Sequence, residues 1–268
     1  MTIAFIQGAS GGIGLAFTKK LLQSSHYKII AACRNPETLR EVLSSEGIQK
    51  ERLEFLKVDV TKEDTIKDAA AYVSQKYGKN SLKLVLNCSG ILSEPEKSFR
   101  QLDSNNLEHV FRVNCHGPSL VYKHFFDLLE SKKKPQLSST SPSNTSLDQA
   151  HNQLPDFSII ASISAKVGSI GDNRLGGWMS YRSSKSALNM MTKCLSVELS
   201  NRKMNSIAIC LHPGTVTTSF SKNFTANQPK DKLFTPEYSA DCLYNVLCSR
   251  SLEDSGKVFS WDGSALPY

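Results

Sequence analysis

A tyrosine and a lysine lie four residues apart in the stretch Tyr181-Arg182-Ser183-Ser184-Lys185. On a helix, side chains at this spacing project from one face, one above the other. An ammonium beside a phenol favours the ionised form, so the spacing predicts that Lys185 lowers the pKa of Tyr181 from about 10. A phenol tuned in this way can pass a proton to a developing alkoxide. The same spacing also fits a half-exposed surface pair, so its meaning depends on the rest of the chain.

A glycine-rich turn stands between a strand and a helix near the start of the chain. Residues 2–6 are apolar, Gly8-Ala9-Ser10-Gly11-Gly12-Ile13-Gly14 follows at once, and apolar residues at helical spacing come next. Glycine permits positive φ and close approach of the backbone to a ligand, and the first N–H groups of a helix attract a pyrophosphate. The turn predicts a dinucleotide site that includes Gly8, Ser10, Gly12, Ile13 and Gly14.

The end of the second predicted strand, 27–33, indicates which dinucleotide binds. An Asp or Glu at this place would accept hydrogen bonds from the adenosine ribose hydroxyls of NAD. Cys33 and Arg34 stand there instead, about twenty residues after the glycines. A guanidinium suits a 2′-phosphate, which favours NADP(H) over NAD(H). The alternative is that Arg34 is a solvated cation in a loop.

The motifs and their order resemble the short-chain dehydrogenase/reductase superfamily over nearly the whole chain. Besides the glycine turn and Tyr181/Lys185, the resemblance rests on Asp59-Val60, Asn87-Cys88-Ser89-Gly90, Asn114 and Pro213-Gly214-Thr215-Val216-Thr217-Thr218. Residues 168–178 and 181–189 further resemble its C-factor and sniffer-like subgroup. The resemblance implies cofactor contacts from Asp59, Val60, Asn87, Gly90, Tyr181, Lys185, Val216 and Thr218.

The resemblance also implies catalytic roles. Tyr181 would donate a proton to the substrate during reduction, and Lys185 would hold the nicotinamide ribose. Asn114 would disturb its helix locally and hold a water that links Lys185 to solvent. An Asn inside an apolar helix such as 107–129 also needs a buried hydrogen-bond partner.

The chain departs from the family at the serine that polarises the substrate carbonyl. Commonly this is the second of two serines, three places before a glycine, and counting back from Gly168 the place holds Ala165. Ser164 is adjacent, and Ser162 lies one pleat earlier. We take Ser164 as the catalytic serine and expect a one-residue bulge at the strand end to re-aim it. The alternative is that both serines bond local backbone. Gln7, where Thr usually precedes the first glycine, is a smaller departure.

The order of the elements predicts an α/β fold, namely a Rossmann-type, doubly wound parallel sheet with helices on both faces, in one domain over 1–268. Predicted strands at 2–6, 27–33, 53–58, 82–86, 157–161 and 206–211 alternate with predicted helices at 36–45, 62–76, 107–129 and 178–200. Ligand should bind at the carboxyl ends of the strands, where every motif falls. The polar, Ser/Thr-rich stretch 135–155 is expected to be a flexible insertion. Residues 219–234 should cap the substrate pocket, with Phe220 and Phe224 as apolar lining.

Charge and cysteine content narrow the function classes. The net charge is +7 and the pI is near 9.0, but Lys and Arg are spread along the chain, so we expect no nucleic acid partner. The seven cysteines are odd in number and lack Cys-x-x-Cys spacing, which argues against a disulfide framework and a metal site and suits a reducing cytoplasm. We expect no signal peptide and no membrane span. The family resemblance implies a homodimer or homotetramer.

The sequence therefore predicts an NADP(H)-dependent oxidoreductase of carbonyl reductase or alcohol dehydrogenase type. It would transfer a hydride between nicotinamide and a small carbonyl or alcohol substrate. One alternative is a dinucleotide-binding regulatory or signalling protein with little turnover, which Ala165 makes worth testing. Another is an interaction protein that binds its partner through the Ser/Thr-rich insertion. Fold alone does not decide among them.

Overall fold

The computed structural model describes residues 2–24, 26–45, 50–92, 96–130, 153–221 and 233–268. The strands are β1 (Ile3–Gln7), β2 (Lys28–Cys33), β3 (Leu53–Lys57), β4 (Leu82–Asn87), β5 (Ser158–Ile163), β6 (Ser206–His212), β7 (Val258–Ser260) and β8 (Ala265–Leu266). The α-helices are α1 (Gly12–Ser24), α2 (Pro36–Ser45), α3 (Glu63–Tyr77), α4 (Ser104–Phe111), α5 (Gly117–Phe125), α6 (Met179–Asn201) and α7 (Pro236–Cys248).

The strands form one 8-stranded sheet in the order β3-β2-β1-β4-β5-β6-β7-β8. All neighbours pair in parallel except β7 and β8, which are antiparallel. The order reverses between β1 and β4, so the carboxyl ends of these two strands flank the crevice where such folds bind ligands. The predicted doubly wound α/β fold is confirmed.

Helices bury both faces of the sheet, which explains why its strands are apolar on both sides. On one face α1, α2 and α7 pack side chains such as Phe17 and Tyr244 against the sheet. On the other, α3, α5 and α6 form a second core, in which the rings of Phe5 and Phe125 lie 4.3 Å apart. The two cores hold the central strands rigidly, so the loops at their carboxyl ends have a fixed base.

The predicted elements differ from the structure in instructive places. The predicted helix 107–129 is interrupted, because residues Arg112–His116 form a π-helical segment between α4 and α5. β5 begins one residue later than predicted and continues to Ile163, through polar Ser162. Strands β7 and β8 and helix α7 were not predicted, although Thr235 before Pro236 is a helix-start signal and Thr235 does accept a hydrogen bond from the Tyr238 N–H.

Some predictions fall outside the described residues. Most of the predicted insertion 135–155 lies there, as does Phe224. Within the described ranges, no helix is long and apolar enough to cross a membrane. In the same part of the chain, no group of three or more His, Cys, Asp or Glu side chains is placed to hold a metal ion.

Candidate active site

A cavity of about 850 Å³ opens at the carboxyl ends of the strands and collects most of the predicted site residues. Its wall includes Gly8, Ser10, Gly12, Ile13, Arg34, Asp59, Val60, Gly90, Ser164, Tyr181, Lys185, Val216 and Thr218. Three predicted residues, Gly14, Asn87 and Asn114, lie behind this wall and support it. One continuous space therefore joins the glycine turn to the Tyr181/Lys185 pair.

The glycine turn is built by backbone constraints that only glycine satisfies. Gly8 and Gly12 have positive φ, at 84° and 50°. A Cβ on Gly14 would lie 2.2 Å from the Gly8 carbonyl oxygen, so the first turn of α1 packs directly on the loop. The Gly8 N–H donates to the Ala32 carbonyl at the end of β2. The start of α1 is thereby fixed at the cavity wall.

Arg34 and Asp59 stand at the end of the cavity formed by β2 and β3. Arg34 is exposed and lines the cavity. Burial alone would raise the pKa of the Asp59 carboxyl, but hydrogen bonds from Thr61 and the charges of Lys62 and Arg34 lower it. Asp59 is therefore ionised near neutral pH, and it anchors its own loop by accepting from the Thr61 N–H and hydroxyl at 3.0 and 2.7 Å.

Tyr181 and Lys185 lie one turn apart near the start of α6, and both are buried, at 8% and 3% exposure. The Lys185 ammonium lies 5.8 Å from the centre of the Tyr181 ring and donates to the Ile163 carbonyl at 2.8 Å. Burial lowers the pKa of Lys185 to about 8. The predicted shared face is thus present at the cavity wall.

The predicted lowering of the Tyr181 pKa is wrong. Burial raises the pKa of this phenol well above its ordinary value. The sequence reasoning counted the nearby charge but not the loss of solvent, and desolvation disfavours a phenolate. Tyr181 is therefore fully protonated at neutral pH, a state from which it can donate a proton.

Asn114 lies at the centre of the π-helical segment and is fully buried. Its side-chain oxygen accepts from the Ile91 N–H at 2.8 Å, and its amide donates to the Ile91 carbonyl at 2.9 Å and the Ser184 hydroxyl at 3.1 Å. The predicted helix disturbance and the predicted buried partners are both present. Asn114 joins the loop after β4 to α6, beside Lys185.

Ser162, Ser164 and Ala165, at the end of β5, differ in whether they reach the cavity wall. The Ser164 hydroxyl reaches the cavity wall but donates to the Asn189 side-chain oxygen at 2.7 Å. Ala165 also lines the cavity, whereas Ser162 faces away from it. The predicted bulge is absent from this described stretch. β5 pairs with β6 in continuous register, and the Ser164 N–H extends the ladder to the Leu211 carbonyl, so the backbone stays regular.

Ser162 and Asn87 belong to a buried network beneath the cavity rather than to its wall. The Asn87 amide donates to the Ser162 hydroxyl at 3.0 Å, and that hydroxyl also contacts the Tyr122 hydroxyl at 2.7 Å. The Tyr122 hydroxyl also forms a hydrogen bond with the Thr192 hydroxyl on α6, at 2.8 Å. This network ties β4 and β5 to α6 and leaves Ser162 unable to reach a substrate.

The turn after β6 closes the opposite wall. Gly214 has a φ of 79°, and a Cβ there would lie 2.5 Å from the Phe234 ring. The chain then returns past the glycine turn, where a Cβ on Gly12 would lie 3.2 Å from the Thr218 methyl. Phe220 follows, with its ring centre 6.1 Å from that of Tyr181. Phe220 therefore lies beside the Tyr181/Lys185 pair and lines the cavity, as expected of a pocket lining.

Comparisons with known proteins identify the family. A family model described as short chain dehydrogenase matches residues 2–152 and 159–229. The chain belongs to the short-chain dehydrogenase family of oxidoreductases. A relative described as an uncharacterized oxidoreductase of Schizosaccharomyces pombe is 28% identical and aligns over 99% of this chain and 98% of its own.

Solved structures agree with this assignment. The crystal structure of NADPH-bound carbonyl reductase from chicken fatty liver is 27% identical, with a TM-score of 0.79 over 100% of this chain and 98% of its own. The carbonyl reductase Sniffer of D. melanogaster has the same TM-score and coverage at 22% identity, and shows the shared fold. The predicted resemblance to short-chain dehydrogenases is confirmed.

Several further residues support this short-chain dehydrogenase site, although the sequence assigned them no role in it. Gln7 and Ser89 exchange two hydrogen bonds, from the Gln7 amide to the Ser89 hydroxyl at 2.5 Å and from the Ser89 N–H to the Gln7 side-chain oxygen at 3.2 Å. They clasp the glycine turn to the loop after β4. His212 lines the cavity, and burial lowers its pKa to about 4, so it is neutral.

Glu96 was also missed, although it is the buried carboxylate of the cavity wall. Its partners Ser180 and Asn106 are distant in the sequence, at separations of 84 and 10 residues. No spacing rule connects such positions. The only available signal was an acidic residue in a loop that follows a predicted strand.

Proposed function

We propose that this short-chain dehydrogenase is an NADP(H)-dependent carbonyl reductase or alcohol dehydrogenase acting on small carbonyl or alcohol substrates. One observation carries the proposal. A protonated tyrosine and a buried lysine, one turn apart, share a cavity with a glycine turn at the start of a helix. A binding site and a proton donor in one cavity are what a reductase needs, and a binding protein needs only the first.

The residues of the turn fit a dinucleotide. The helix start at Gly12 and the close packing of Gly14 on Gly8 leave free N–H groups at the cavity wall for a pyrophosphate. Arg34 offers a guanidinium for a 2′-phosphate. The NADPH bound by the chicken carbonyl reductase supports the same cofactor here. When bound, NADP(H) would supply or accept the hydride.

Tyr181 would donate the proton to the substrate, and Lys185 would stabilise the tyrosine after donation. Because its pKa is raised, Tyr181 keeps its proton at neutral pH and can give it to the substrate oxygen as negative charge develops there. Lys185 keeps its charge below about pH 8, so it favours the phenolate that Tyr181 becomes after donation. The Lys185 bond to the Ile163 carbonyl fixes the ammonium beside the ring.

Ser164 is our candidate for polarising the substrate carbonyl. Its hydrogen points to Asn189 in this structure, so donation to a substrate requires rotation of the hydroxyl away from that partner. A buried neutral hydrogen bond contributes about 1 kcal/mol, which a charged acceptor outweighs. We propose that Ser164 turns to the substrate oxygen as that oxygen gains charge.

The substrate end of the cavity favours an apolar body around the reacting carbonyl. Leu92, Val113, Trp178 and Phe220 are among the residues that line the cavity, and Phe220 lies beside Tyr181. Such side chains bury hydrocarbon or aromatic surface at about 25 cal/mol per Å². Aromatic aldehydes and quinones are therefore the first substrates to test.

Replacing Tyr181 tests this function. With an active aldehyde or quinone, Tyr181→Phe should lower kcat by at least ~10²-fold, the scale of a lost general acid, and leave the Kd for NADPH within about twofold. Tyr244→Phe is the matched control, since it removes another buried phenol on α7, on the opposite face of the sheet. Unchanged turnover in Tyr181→Phe would refute the proposed mechanism. NADPH binding without turnover in the wild type would favour a regulatory protein.

A further inference from the structure

Glu96 is a charged side chain deep in the wall of the cavity, with 3% exposure. A carboxylate so far from solvent requires hydrogen bonds to compensate for lost hydration. Its Oε2 accepts from the Ser180 N–H at 2.7 Å, and its Oε1 accepts from the Ser180 hydroxyl at 2.5 Å and the Asn106 amide at 3.1 Å. Glu96 is therefore fixed in one orientation, and α6 supplies most of what fixes it.

The backbone of Glu96 makes a second contact with the same region. Its carbonyl accepts from the Trp178 N–H at 2.7 Å, and a Cβ on Gly177 would lie 3.2 Å from that carbonyl oxygen. Glu96 thus holds both the residue before α6 and the second residue of the helix. The segment it holds, residues 176–178, also lines the cavity.

The start of α6 needs this support because it has no cap of its own. A helix usually begins after a Ser, Thr, Asp or Asn whose side chain accepts from the second or third helical N–H. Trp178 stands at that place with left-handed dihedral angles, φ 54° and ψ 40°, and an indole offers no acceptor. The Glu96 carboxylate accepts from the second helical N–H instead, and its negative charge suits a helix start.

Tyr181 is the third residue of α6, directly after Ser180. The orientation of this first turn therefore decides where the Tyr181 hydroxyl lies relative to a substrate. Lys185 lies a turn deeper and is fixed separately by the Ile163 carbonyl. The phosphate-binding turn is on another part of the sheet. Loss of Glu96 should disturb the proton donor far more than the cofactor site.

We infer that Glu96 is a positioning residue that caps α6 from outside the helix and sets the place of the Tyr181 hydroxyl. The inference rests on the proposed function of Tyr181 as proton donor. Glu96 makes hydrogen bonds to Ser180 and Trp178 at the start of α6, and through them it acts on Tyr181.

Glu96→Ala is the first test. We expect kcat for an active aldehyde or quinone to fall by about tenfold or more, since small misplacements of a reacting group are costly. The KM for the carbonyl should rise, because residues 176–178 lose their anchor. The Kd for NADPH, measured by fluorescence titration, should stay within about twofold, and equal loss of kcat and of NADPH affinity would overturn the inference.

Two further variants separate positioning from general stability. Glu96→Gln keeps an oxygen for the Ser180 N–H and an amide for the Ser180 hydroxyl oxygen. The Asn106 side chain must then turn its own oxygen to that amide, so kcat should return only to within about threefold of wild type. Glu54→Ala is the control, because Glu54 also binds several partners, Lys28, Lys76, Tyr72 and Tyr77, but on edge strand β3. It should lower the Tm and leave kcat unchanged.

The outcomes distinguish this inference from the proposed function. Wild-type kcat in Glu96→Ala, beside an inactive Tyr181→Phe, would overturn the role of Glu96 alone. A fully active Tyr181→Phe would overturn the proposed function and this inference with it. If Glu96→Ala does not fold, Ser180→Ala replaces it. This variant should lower kcat several-fold at unchanged NADPH Kd, and an unchanged kcat would overturn the inference.

Discussion

The two ends of the cavity are built by different means. At the end formed by the glycine turn, here called the phosphate end for its proposed ligand, the wall is backbone, with positive φ at Gly8 and Gly12 and contact between Gly14 and Gly8. At the end that carries the Tyr181/Lys185 pair, here called the catalytic end for its proposed role, the wall is side chains. Several of them are held by distant partners, as Lys185 is by Ile163 and Ser164 by Asn189. The phosphate end depends on glycines that have no side chain. The catalytic end depends on side chains and on the hydrogen bonds that they make.

This difference decides how each end tolerates change. A methyl group added at Gly8 or Gly14 meets backbone atoms, which cannot move without shifting a strand or helix. A side chain removed at the catalytic end leaves a buried partner without its hydrogen bond but leaves the backbone in place. We therefore expect binding defects at the first end and turnover defects at the second.

Gly14→Ala should give the largest binding defect. Its Cβ would lie 2.2 Å from the Gly8 carbonyl oxygen, so α1 must move away from the turn. Overpacking typically costs about 1–3 kcal/mol, which corresponds to an NADPH Kd raised by up to ~10²-fold. Fluorescence titration measures it. Gly11→Ala is the matched control, since among the described residues an added Cβ there has no neighbour within 4 Å. Equal affinity in the two variants would remove the backbone explanation.

Arg34→Ala should change cofactor choice rather than turnover. Hydrogen bonds to charged groups contribute about 1.5–3 kcal/mol, so the ratio of kcat/KM for NADPH to that for NADH should fall by about tenfold or more. Arg40→Ala on α2 is the control, because Arg40 pairs with Glu37 and is not part of the cavity wall. An unaltered ratio in Arg34→Ala would mean that another residue selects the cofactor.

The pH dependence tests the catalytic end. The pKa of Lys185 is lowered to about 8, so its ammonium is present below that pH and lost above it. Because the ammonium favours the phenolate that Tyr181 becomes after proton donation in our proposal, kcat/KM for NADPH should fall by up to about tenfold per pH unit above this point. Initial rates between about pH 6 and 10 give the profile. A flat profile to the alkaline limit would contradict a role for the charge.

Ser164→Ala should give the smallest loss. A well-placed oxyanion donor contributes ~10²-fold or more, but Ser164 must first leave Asn189, so we expect kcat to fall by less than about tenfold. Ala165→Ser adds a hydroxyl at the position that the family commonly uses. The steady-state kcat of Ser164→Ala and of Ala165→Ser shows which of the two positions places a hydroxyl on the substrate oxygen. A higher kcat in Ala165→Ser together with wild-type kcat in Ser164→Ala would contradict a role for Ser164. It would show that a hydroxyl reaches the substrate from position 165 instead.

The phosphate end was predictable because its constraints are local. Gly8, Gly12 and Gly14 follow from a strand, a turn and a helix within a short stretch of chain. The sheet was predictable for a related reason, since strands such as β1 and β2, buried on both faces, are nearly continuous apolar runs. Strands β7 and β8 were not predicted, because strands of 3 and 2 residues are too short to show an apolar pattern.

The catalytic end was predictable only in part. The Tyr181/Lys185 spacing placed both side chains on one face, but burial reversed the expected direction of the Tyr181 pKa. Ser164 was chosen from its position, and the bond to Asn189 that engages its hydroxyl joins two separate elements. Glu96 had only a weak signal, an acidic residue in a loop after a predicted strand, and its partner Ser180 is 84 residues away. Long-range partners and desolvation exist only in the folded chain.

Whether the protein is an NADP(H)-dependent reductase is best measured by the rate at which the wild type oxidises NADPH with aromatic aldehydes and quinones, with NADH in parallel. We expect saturable, carbonyl-dependent loss of NADPH absorbance, with kcat/KM for NADPH at least about tenfold above that for NADH. Tight NADPH binding with no oxidation across the panel would contradict a reductase, and equal use of both cofactors would contradict the role of Arg34.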